Sequence, residues 1–325
     1  MMKRFFKWVL RVFLGIATLI LLLILYIQLT YKRKFDALPT GIKASTDSAV
    51  IARGEYLVMG PAHCWACHTP GAHENLQEAP SGGMSGGLEI KLPFGTLYAP
   101  NITNDAATGI GTYTDEMLAR AIRFNVKHDR TALVPFMTYN GMSDEDLTAV
   151  ISYLRSTKPV VHEVPQHDLN VLGKGVMRFL MKSYEHATPP PAALRPDTSA
   201  EYGKYLAINV ANCHGCHTNR DKSSGQFIGT PFAGGYEMPT KSGTFTSANL
   251  TPHPATGVLA KWSAGDFVQR FRAGAAYPES PMPWKAFQEM TDNDLKALYY
   301  FLRSIEPAEQ RVTAFRPKLA EGEKE

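Results

Sequence analysis

The segment Cys64-Trp65-Ala66-Cys67-His68 decides the fold of this chain, and its pattern returns at Cys213-His214-Gly215-Cys216-His217. The two segments contain all four cysteines of the 325 residues. Cys-x-x-Cys-His is the attachment pattern of c-type haem, in which two thiols add across the haem vinyl groups and the histidine reaches the iron. The sequence therefore predicts two covalent haem c groups. The expected attachment residues are Cys64, Cys67, Cys213 and Cys216, and the expected axial ligands on this side are His68 and His217.

Two other uses of Cys-x-x-Cys pairs compete with this interpretation. A thioredoxin-like redox motif opens a helix inside a βαβ pattern, and no such pattern surrounds either pair. A zinc site built from both pairs would have a closed shell of four ligands. It would leave the histidine after each second cysteine unexplained, so the sequence favours haem.

The chain after residue 48 contains an internal repeat with an offset of 148 or 149 residues. Two copies of one domain are the simplest explanation, because two units are too few for a solenoid. The matching segments are Ala52–Leu57 with Glu201–Leu206, Asn101-Ile102-Thr103 with Asn249-Leu250-Thr251, Met142–Leu147 with Met290–Leu295, and Tyr153–Ser156 with Phe301–Ser304.

Each copy is predicted to be mostly helical, with a helix entering the haem motif and a terminal helix packed across it. The entering helices are expected at 49–59 and 201–209. Ser143-x-x-Asp146 and Thr291-x-x-Asp294 are capping-box patterns, and each precedes apolar residues at helical spacing. Residues 81–113 and 225–260 are rich in Gly, Pro, Thr and Asn, and we expect long loops over the porphyrin edge.

The predicted fold class is therefore mostly α, with two tandem cytochrome c-type domains after one N-terminal transmembrane helix. The expected organisation is a membrane anchor at 1–35, a first domain at 48–160, a linker at 161–198, a second domain at 199–307 and a tail at 308–325, acidic and disordered from Glu321. In the linker, residues 171–186 form a candidate amphipathic helix, which we expect between the domains rather than against lipid.

Each iron needs a second axial ligand, and methionine is the usual partner in electron-transfer cytochromes. In the second copy, Met282 lies between Pro281 and Pro283, which would hold its thioether in place. Met290 is the competitor, but its position at the mouth of the terminal helix is typical of the core.

The second axial ligand is harder to identify in the first copy, because ungapped alignment places Val134 at the position of Met282. Valine cannot bind iron, and Met137 lies three residues later. Met137 is the predicted ligand if the loop before it is longer and the loop after it shorter, whereas Met142 is expected in the core. Otherwise this haem has an open or histidine-filled position, for which His128 is the first candidate.

Val12 to Thr30 is a stretch of 19 residues without a charge, long enough to cross a hydrocarbon core of about 30 Å. A cleaved signal peptide usually has a shorter apolar stretch and a small-x-small cleavage site, so we favour an uncleaved anchor. Haem c is attached outside the cytoplasmic membrane, which places the rest in the periplasm. Apart from the seven basic residues before Asp36, the chain has 27 basic and 30 acidic side chains, and nothing indicates nucleic-acid binding.

The sequence resembles the membrane-anchored cytochrome c subunits of periplasmic dehydrogenases that oxidise alcohols, aldehydes, gluconate or nicotinate. The resembling segments are Gly54–Leu57, Gly95–Thr103, Thr108–Gly111 and Ser143–Leu147. The resemblance implies haem domains that pass electrons without chemistry of their own. It also implies Met137 as a ligand, through the spacing from Arg123, Asp129 and Arg130. The better-known subunits carry three haems and are often attached to the membrane at the other end.

The main functional prediction is a single-pass dihaem cytochrome c of the inner membrane that relays single electrons in the periplasm and is not itself an enzyme. The expected partners are a periplasmic dehydrogenase, a terminal oxidase or another redox protein. The rival prediction is a peroxidase-like dihaem enzyme, which needs one iron with an open face. A haem-based sensor is disfavoured, because about ten residues before the span are too few for an output domain.

Overall fold

The computed structural model describes residues 2–78, 82–186, 188–222 and 225–318. One long helix, α1 (Met2–Thr30), precedes two helical units of similar construction, which confirms the predicted fold class. The acidic tail from Glu321 lies outside the described residues. The first unit contains α2 (Ser48–Met59), α3 (Trp65–His68), a 3₁₀ turn (Ala72–Glu74), α4 (Asp115–Phe124) and α5 (Asp144–Ser156). After α6 (Val171–Phe179), the second contains α7 (Ala200–Tyr205), a π-helical turn (Leu206–Val210), α8 (Cys213–His217), α9 (Ala264–Arg272), α10 (Trp284–Gln288) and α11 (Asp292–Ser304).

In each unit the helix that enters the haem motif crosses the terminal helix at a glycine. A Cβ on Gly54 of α2 would lie 1.9 Å from the carbonyl oxygen of Ala149 in α5. A Cβ on Gly203 of α7 would lie 1.9 Å from the carbonyl oxygen of Ala297 in α11. Only glycine allows the two backbones to approach this closely, which explains why the repeat keeps it in both copies.

The core on either side of these crossings consists of the apolar residues that the helical spacing predicts. Leu147 and Ile151 on α5 are fully buried. Leu295 and Leu298 on α11 have exposed fractions of 0 and 2%. Each such side chain contributes about 1.5–3 kcal/mol when it leaves water. Met142 and Met290 are 1% exposed, and both predictions of a core position are confirmed.

A small antiparallel sheet replaces part of each predicted loop. The first joins β1 (Glu89–Leu92) to β2 (Gly95–Tyr98) and β3 (Asp168–Leu169). The second joins β4 (Glu237–Pro239) to β5 (Gly243–Thr246) and β6 (Phe315–Pro317). Short hairpins satisfy the backbone hydrogen bonds that an unstructured loop would leave to water. The third strand of each sheet comes from the segment predicted as linker or tail.

The two units contact each other through reciprocal hydrogen bonds between equivalent residues. The Tyr205 hydroxyl donates to the Asp146 carboxylate at 2.7 Å, and the Tyr56 hydroxyl donates to Asp294 in the same way. Tyr56 and Tyr205 are equivalent in the repeat, and so are the two aspartates. Contacts that are exchanged in this manner are those of an isologous interface, so an approximate twofold axis relates the units.

These tyrosines also complete the N-termini of the terminal helices. The side chains of Ser143 and Thr291 accept the expected N3 amide hydrogens, at 3.1 Å each. Their own backbone N–H groups donate to the hydroxyls of Tyr205 and Tyr56, at 3.0 and 3.2 Å. The predicted capping boxes are therefore closed by a tyrosine of the other unit rather than by the N3 aspartate. A reciprocal box forms instead at Ser263 of α9.

The equivalent positions 53 and 202 meet at the axis with different side chains. Arg53 donates to the Tyr202 hydroxyl at 3.2 Å and forms an ion pair with Asp146 at 2.9 Å. The second copy has Tyr202 where the first has Arg53. Among the described residues, Asp294 therefore has no ion pair equivalent to that of Asp146. The interface is thus symmetric in shape and asymmetric in charge.

Removing both tyrosine hydroxyls should weaken the interface specifically. In the Tyr56→Phe/Tyr205→Phe variant, each substitution leaves a buried carboxylate with one donor fewer, at a cost of about 1.5–3 kcal/mol. We expect the thermal unfolding of the full chain to shift to lower temperature and to split into two transitions. Tyr300→Phe, at an exposed position on α11, is the matched control. A single unshifted transition in the double variant would contradict this account of the interface.

The buried carboxyl of Asp294 should make the stability of the chain depend on pH. Burial raises the pKa of Asp294, and this effect exceeds the opposite effects of the hydrogen bond from the Tyr56 hydroxyl and of the nearby Arg53 charge. A carboxyl whose pKa is raised by folding stabilises the folded chain below its unfolded pKa, and this contribution is lost as the pH rises through the folded pKa. The melting temperature of Asp294→Asn minus that of the wild type should therefore increase with pH from about 4 upward. A difference that does not change with pH would contradict this assignment.

The segment that follows α1 is packed onto the first unit. The Phe35 amide donates to the Arg130 carbonyl at 2.8 Å, and Phe35 is buried in a small cluster with Val126 and Ala132. Helix α6 lies against α1 and this cluster, not between the units as the sequence suggested. That prediction was wrong because the apolar face of α6 matches the apolar surface of α1.

Candidate haem sites

Both Cys-x-x-Cys-His segments have the same local geometry. The residue before the first cysteine has a positive φ, 38° at His63 and 51° at Asn212, which turns the chain out of the entering helix. The segment then forms the short helix α3 or α8. In each copy the first cysteine is half-buried, the second is exposed, and all four thiols are free. Each pair thus presents one thiol at the protein interior and one at its edge.

The histidine of each motif is oriented by a backbone carbonyl. Nδ1 of His68 lies 2.8 Å from the Pro100 oxygen, and Nδ1 of His217 lies 2.8 Å from the Ala248 oxygen. A carbonyl only accepts, so Nδ1 carries the proton and Nε2 keeps its lone pair. This is how proteins fix the tautomer and the ring orientation of a metal-binding histidine. Burial lowers the pKa of both histidines.

The repeated Asn-x-Thr segments hold these carbonyls in place. Asn101 donates to the Val160 carbonyl at 2.8 Å, and its side-chain oxygen accepts from Thr103 N and Oγ1 at 2.9 and 2.7 Å. Asn249 repeats the network with Ala308 and Thr251. The asparagine follows the accepting carbonyl directly, so this network determines where the histidine points. The sequence showed the repeat of these residues but not their purpose.

The competing uses of the cysteine pairs find little support in this geometry. Redox-active Cys-x-x-Cys motifs lower a thiol pKa, whereas burial raises the pKa of Cys64 and Cys213 to about 12. The strands that are paired in the described sheets are all antiparallel, so no βαβ unit surrounds a motif. Among the described residues, no group of three or more His, Cys, Asp or Glu side chains is placed to hold a metal ion.

Met282 lies in a well-defined segment of the second unit. It is half-buried and packs against the main core. Pro283 is the N-cap of α10, and Gln77 of the first unit donates to the carbonyls of Ser280 and Met282 at 2.8 and 3.1 Å. Sequence reasoning missed Gln77, which no motif marks. One unit therefore fixes the loop that carries the candidate ligand of the other.

The loops around Met137 have the lengths that its prediction requires. The 12 residues 125–136 separate α4 from Met137, whereas the nine residues 273–281 separate α9 from Met282. After Met137, residues 138–142, all of which are described, contain no helix, whereas α10 occupies the equivalent region of the second unit. Met137 is half-buried. His128 is exposed and stacks on Tyr113 with ring centroids 4.2 Å apart, in the manner of a surface residue.

Tyr139 contacts the segment that leads into the first motif. Its hydroxyl donates to the Ala62 carbonyl at 2.5 Å, two residues before Cys64. Burial raises its pKa well above 10, and the thiols of Cys64, Cys67 and Cys216 raise it further. His63 also contacts Phe287 of α10 edge to face, with ring centroids 5.6 Å apart. These donor sets fit haem c: two free thiols and one oriented imidazole per site.

Known proteins give an independent comparison. The family model for cytochrome c matches residues 51–158 and 200–306. The chain is 29% identical to the fructose dehydrogenase cytochrome subunit of Gluconobacter japonicus, over 81% of this chain and 54% of that protein. It is 30% identical to the alcohol dehydrogenase (quinone) cytochrome c subunit of Gluconacetobacter polyoxogenes, over 80% and 57%. A diheme cytochrome c-type protein of Cereibacter sphaeroides is 25% identical over 78% of this chain and 85% of that protein.

The chain spans only about half the length of the first two relatives. The two matched regions of the family model coincide with the two helical units and each includes one Cys-x-x-Cys-His segment. The chain therefore belongs to the cytochrome c family and contains two cytochrome c domains.

Proposed function

We propose that this protein is a membrane-tethered dihaem c-type cytochrome that transfers single electrons in the periplasm, from a dehydrogenase towards the respiratory chain. The observation that carries the proposal is the pair of Cys-x-x-Cys-His segments, each with its histidine oriented by a backbone carbonyl. The names of the relatives support the same role, since several are cytochrome subunits of dehydrogenases. The proposed domain bounds are 48–160 and 199–307.

Each bound haem would supply a one-electron iron couple. Cys64, Cys67, Cys213 and Cys216 would hold the two rings covalently, and His68 and His217 would bind the irons through Nε2. Met137 and Met282 would provide the opposite ligands, whose sulfur favours the reduced state. With these four ligands bound to the irons, the sites would have no place for substrate. These residues would therefore hold two electron carriers and perform no reaction on a substrate.

The interface between the domains supports electron exchange within the chain. His63, directly before the first attachment segment, contacts Phe287 of the second domain, and hydrogen bonds across the axis hold the domains together. Packed domains keep the relative position of two redox centres constant, so that no docking step is needed between them. The peroxidase-like alternative is not favoured, because the named relatives are cytochrome subunits.

The proposed location is the cytoplasmic membrane, with the haem domains on the periplasmic side. Helix α1 is long and apolar enough to cross a bilayer, with a mean hydropathy of 2.6. A signal sequence would meet the same criterion. The contacts of α1 with α6, and of the following residues with the first domain, favour an anchor that is retained, because cleavage after α1 would remove the contacts with α6.

Gentle purification from native membranes tests the partner. We expect a large periplasmic dehydrogenase to be recovered in stoichiometric amount and identified by mass spectrometry. Its substrate should then reduce the haems of the complex. Recovery with a terminal oxidase alone would instead make the protein a relay within the respiratory chain. Failure of any dehydrogenase to reduce the haems would contradict the proposed direction of electron flow.

A further inference from the structure

Helix α6 presents three chemically different faces. One face packs on the first domain: a Cβ on Gly173 would lie 2.1 Å from the Phe94 carbonyl oxygen, and Met177 packs in the Phe35 cluster. A second face carries the cations Lys174 and Arg178. The third is apolar and borders an open groove with α1, and its exposed members are Val171, Leu172, Phe179 and Leu180, at 39, 63, 50 and 67%.

The position of α6 along α1 sets its depth in a membrane. The groove is bordered on the α1 side by Ile20, Leu23, Ile24 and Ile27. At 1.5 Å per residue, Ile20 to Thr30 covers roughly 15 Å, which is half of a hydrocarbon core of about 30 Å. If α1 crosses the bilayer, the apolar face of α6 lies beside the outer half of the span. Exposed leucine and phenylalanine side chains at that level meet acyl chains rather than water.

The cationic side chains of α6 lie at the level where headgroups begin. Lys174 Nζ is 2.7 Å from the Gln28 side chain, and Arg178 Nε is 3.1 Å from Thr30 Oγ1. Arg178 also donates to the Tyr26 hydroxyl at 2.5 Å. Polar and aromatic residues at the end of a span typically mark the membrane interface. Further exposed cations follow α1 at Lys32 and Arg33 and follow α6 at Lys182, whereas the acids nearby include Asp36 and Asp129, which pair with Arg130 and Lys34.

We propose that α6 is a second membrane contact, whose apolar face enters the outer leaflet beside α1 while the surrounding cations bind anionic phospholipid headgroups. This inference rests on the proposed anchor. The bilayer is preferred over a partner protein because the apolar face is continuous with the surface of the span and the cations stand at its end. As a consequence, the first domain is mounted rigidly on the membrane instead of swinging on a flexible tether.

Photolabelling of the full-length holoprotein tests the apolar contact. The protein would be placed alone in vesicles of zwitterionic and anionic phospholipid that carry a diazirine in the acyl chain. We expect adducts both at 12–30 and at 171–180. In Leu172→Asn/Leu180→Asn, labelling of 171–180 should fall several-fold, while labelling of 12–30 stays unchanged. The exposed side chains of Phe227, Ile228 and Tyr300 in the second domain are internal controls and should stay unlabelled.

The outcomes separate this inference from the anchor. Adducts at 12–30 without adducts at 171–180 would overturn the contact of α6 and leave the anchor intact. Absence of adducts in both segments would overturn both. For the headgroups, native mass spectrometry should show retention of phosphatidylglycerol over phosphatidylcholine, and Lys32→Gln/Arg33→Gln/Lys182→Gln should abolish the preference. Equal retention of the two lipids by the wild type would refute the headgroup contact.

Discussion

Replacing Gly203 by valine should prevent the second cytochrome c domain from folding around its haem. Any side chain at this position would place its Cβ 1.9 Å from the Ala297 carbonyl oxygen, far inside van der Waals contact. The helix that leads into the haem motif would have to move away from the terminal helix. We expect a loss of at least about 3 kcal/mol, the upper end of the usual cost of overpacking. Gly54→Val should have the same effect on the first domain.

The measurement is the haem content of the purified variants, together with their thermal unfolding. We expect one haem per chain in each single variant, with the remaining domain less stable because the interface loses its partner. Gly265→Ala is the matched control: it also lies in a helix, but its nearest neighbour atom would be 3.6 Å from the new Cβ. The control should be neutral or slightly stabilised, as alanine favours helix. Full haem content and an unchanged unfolding temperature in Gly203→Val would contradict the close approach of α7 and α11 at this glycine.

Replacing either candidate axial methionine by alanine should open one iron without loss of either haem. In Met282→Ala the haem of the second domain would lose its sulfur ligand, and its reduction potential should fall. Axial ligands control haem potentials over a range of about 0.8 V, so the shift should be well resolved in a redox titration. Met137→Ala should have the same effect on the first haem. Met238→Ala, at a half-buried position on β4, is the control.

Carbon monoxide gives the second measurement on these variants. If both irons are six-coordinate as proposed, the reduced wild type should not bind it rapidly, whereas each methionine variant should bind one equivalent per chain. Rapid binding by the wild type would mean that one iron has an open face and would revive the enzyme hypothesis. If Met137→Ala alone behaved like the wild type, the ligand of the first haem would have to be sought elsewhere.

Local patterns in the sequence predict the fold class and the positions of the two haem motifs, but not the contacts between distant segments. The two Cys-x-x-Cys-His segments, the repeat offset and the core positions of Met142 and Met290 all follow from local patterns. The hairpins were missed, because glycine- and proline-rich segments have no strong strand periodicity. The interface was missed as well: nothing in a single sequence indicates that Tyr56 pairs with Asp294 of the other copy.

The position of α6 and the role of Gln77 illustrate the same limit. The pattern of an amphipathic helix predicts that one face will be buried, but it does not predict which surface will cover that face. Gln77 belongs to no motif, and its contact with the Met282 loop exists only because the two domains pack in one particular way. Both features depend on contacts between residues that are distant in sequence. Such contacts are determined by packing rather than by local propensity.

The intact mass of the purified full-length chain, measured under denaturing conditions, tests the central claim most directly. Thioether-bound haem survives denaturation, whereas haem held only by axial ligands is released. We predict the mass of the polypeptide plus two haems, falling by one haem when Cys213 and Cys216 are both replaced by serine. A mass equal to that of the polypeptide alone would contradict the account of this protein as a dihaem cytochrome c.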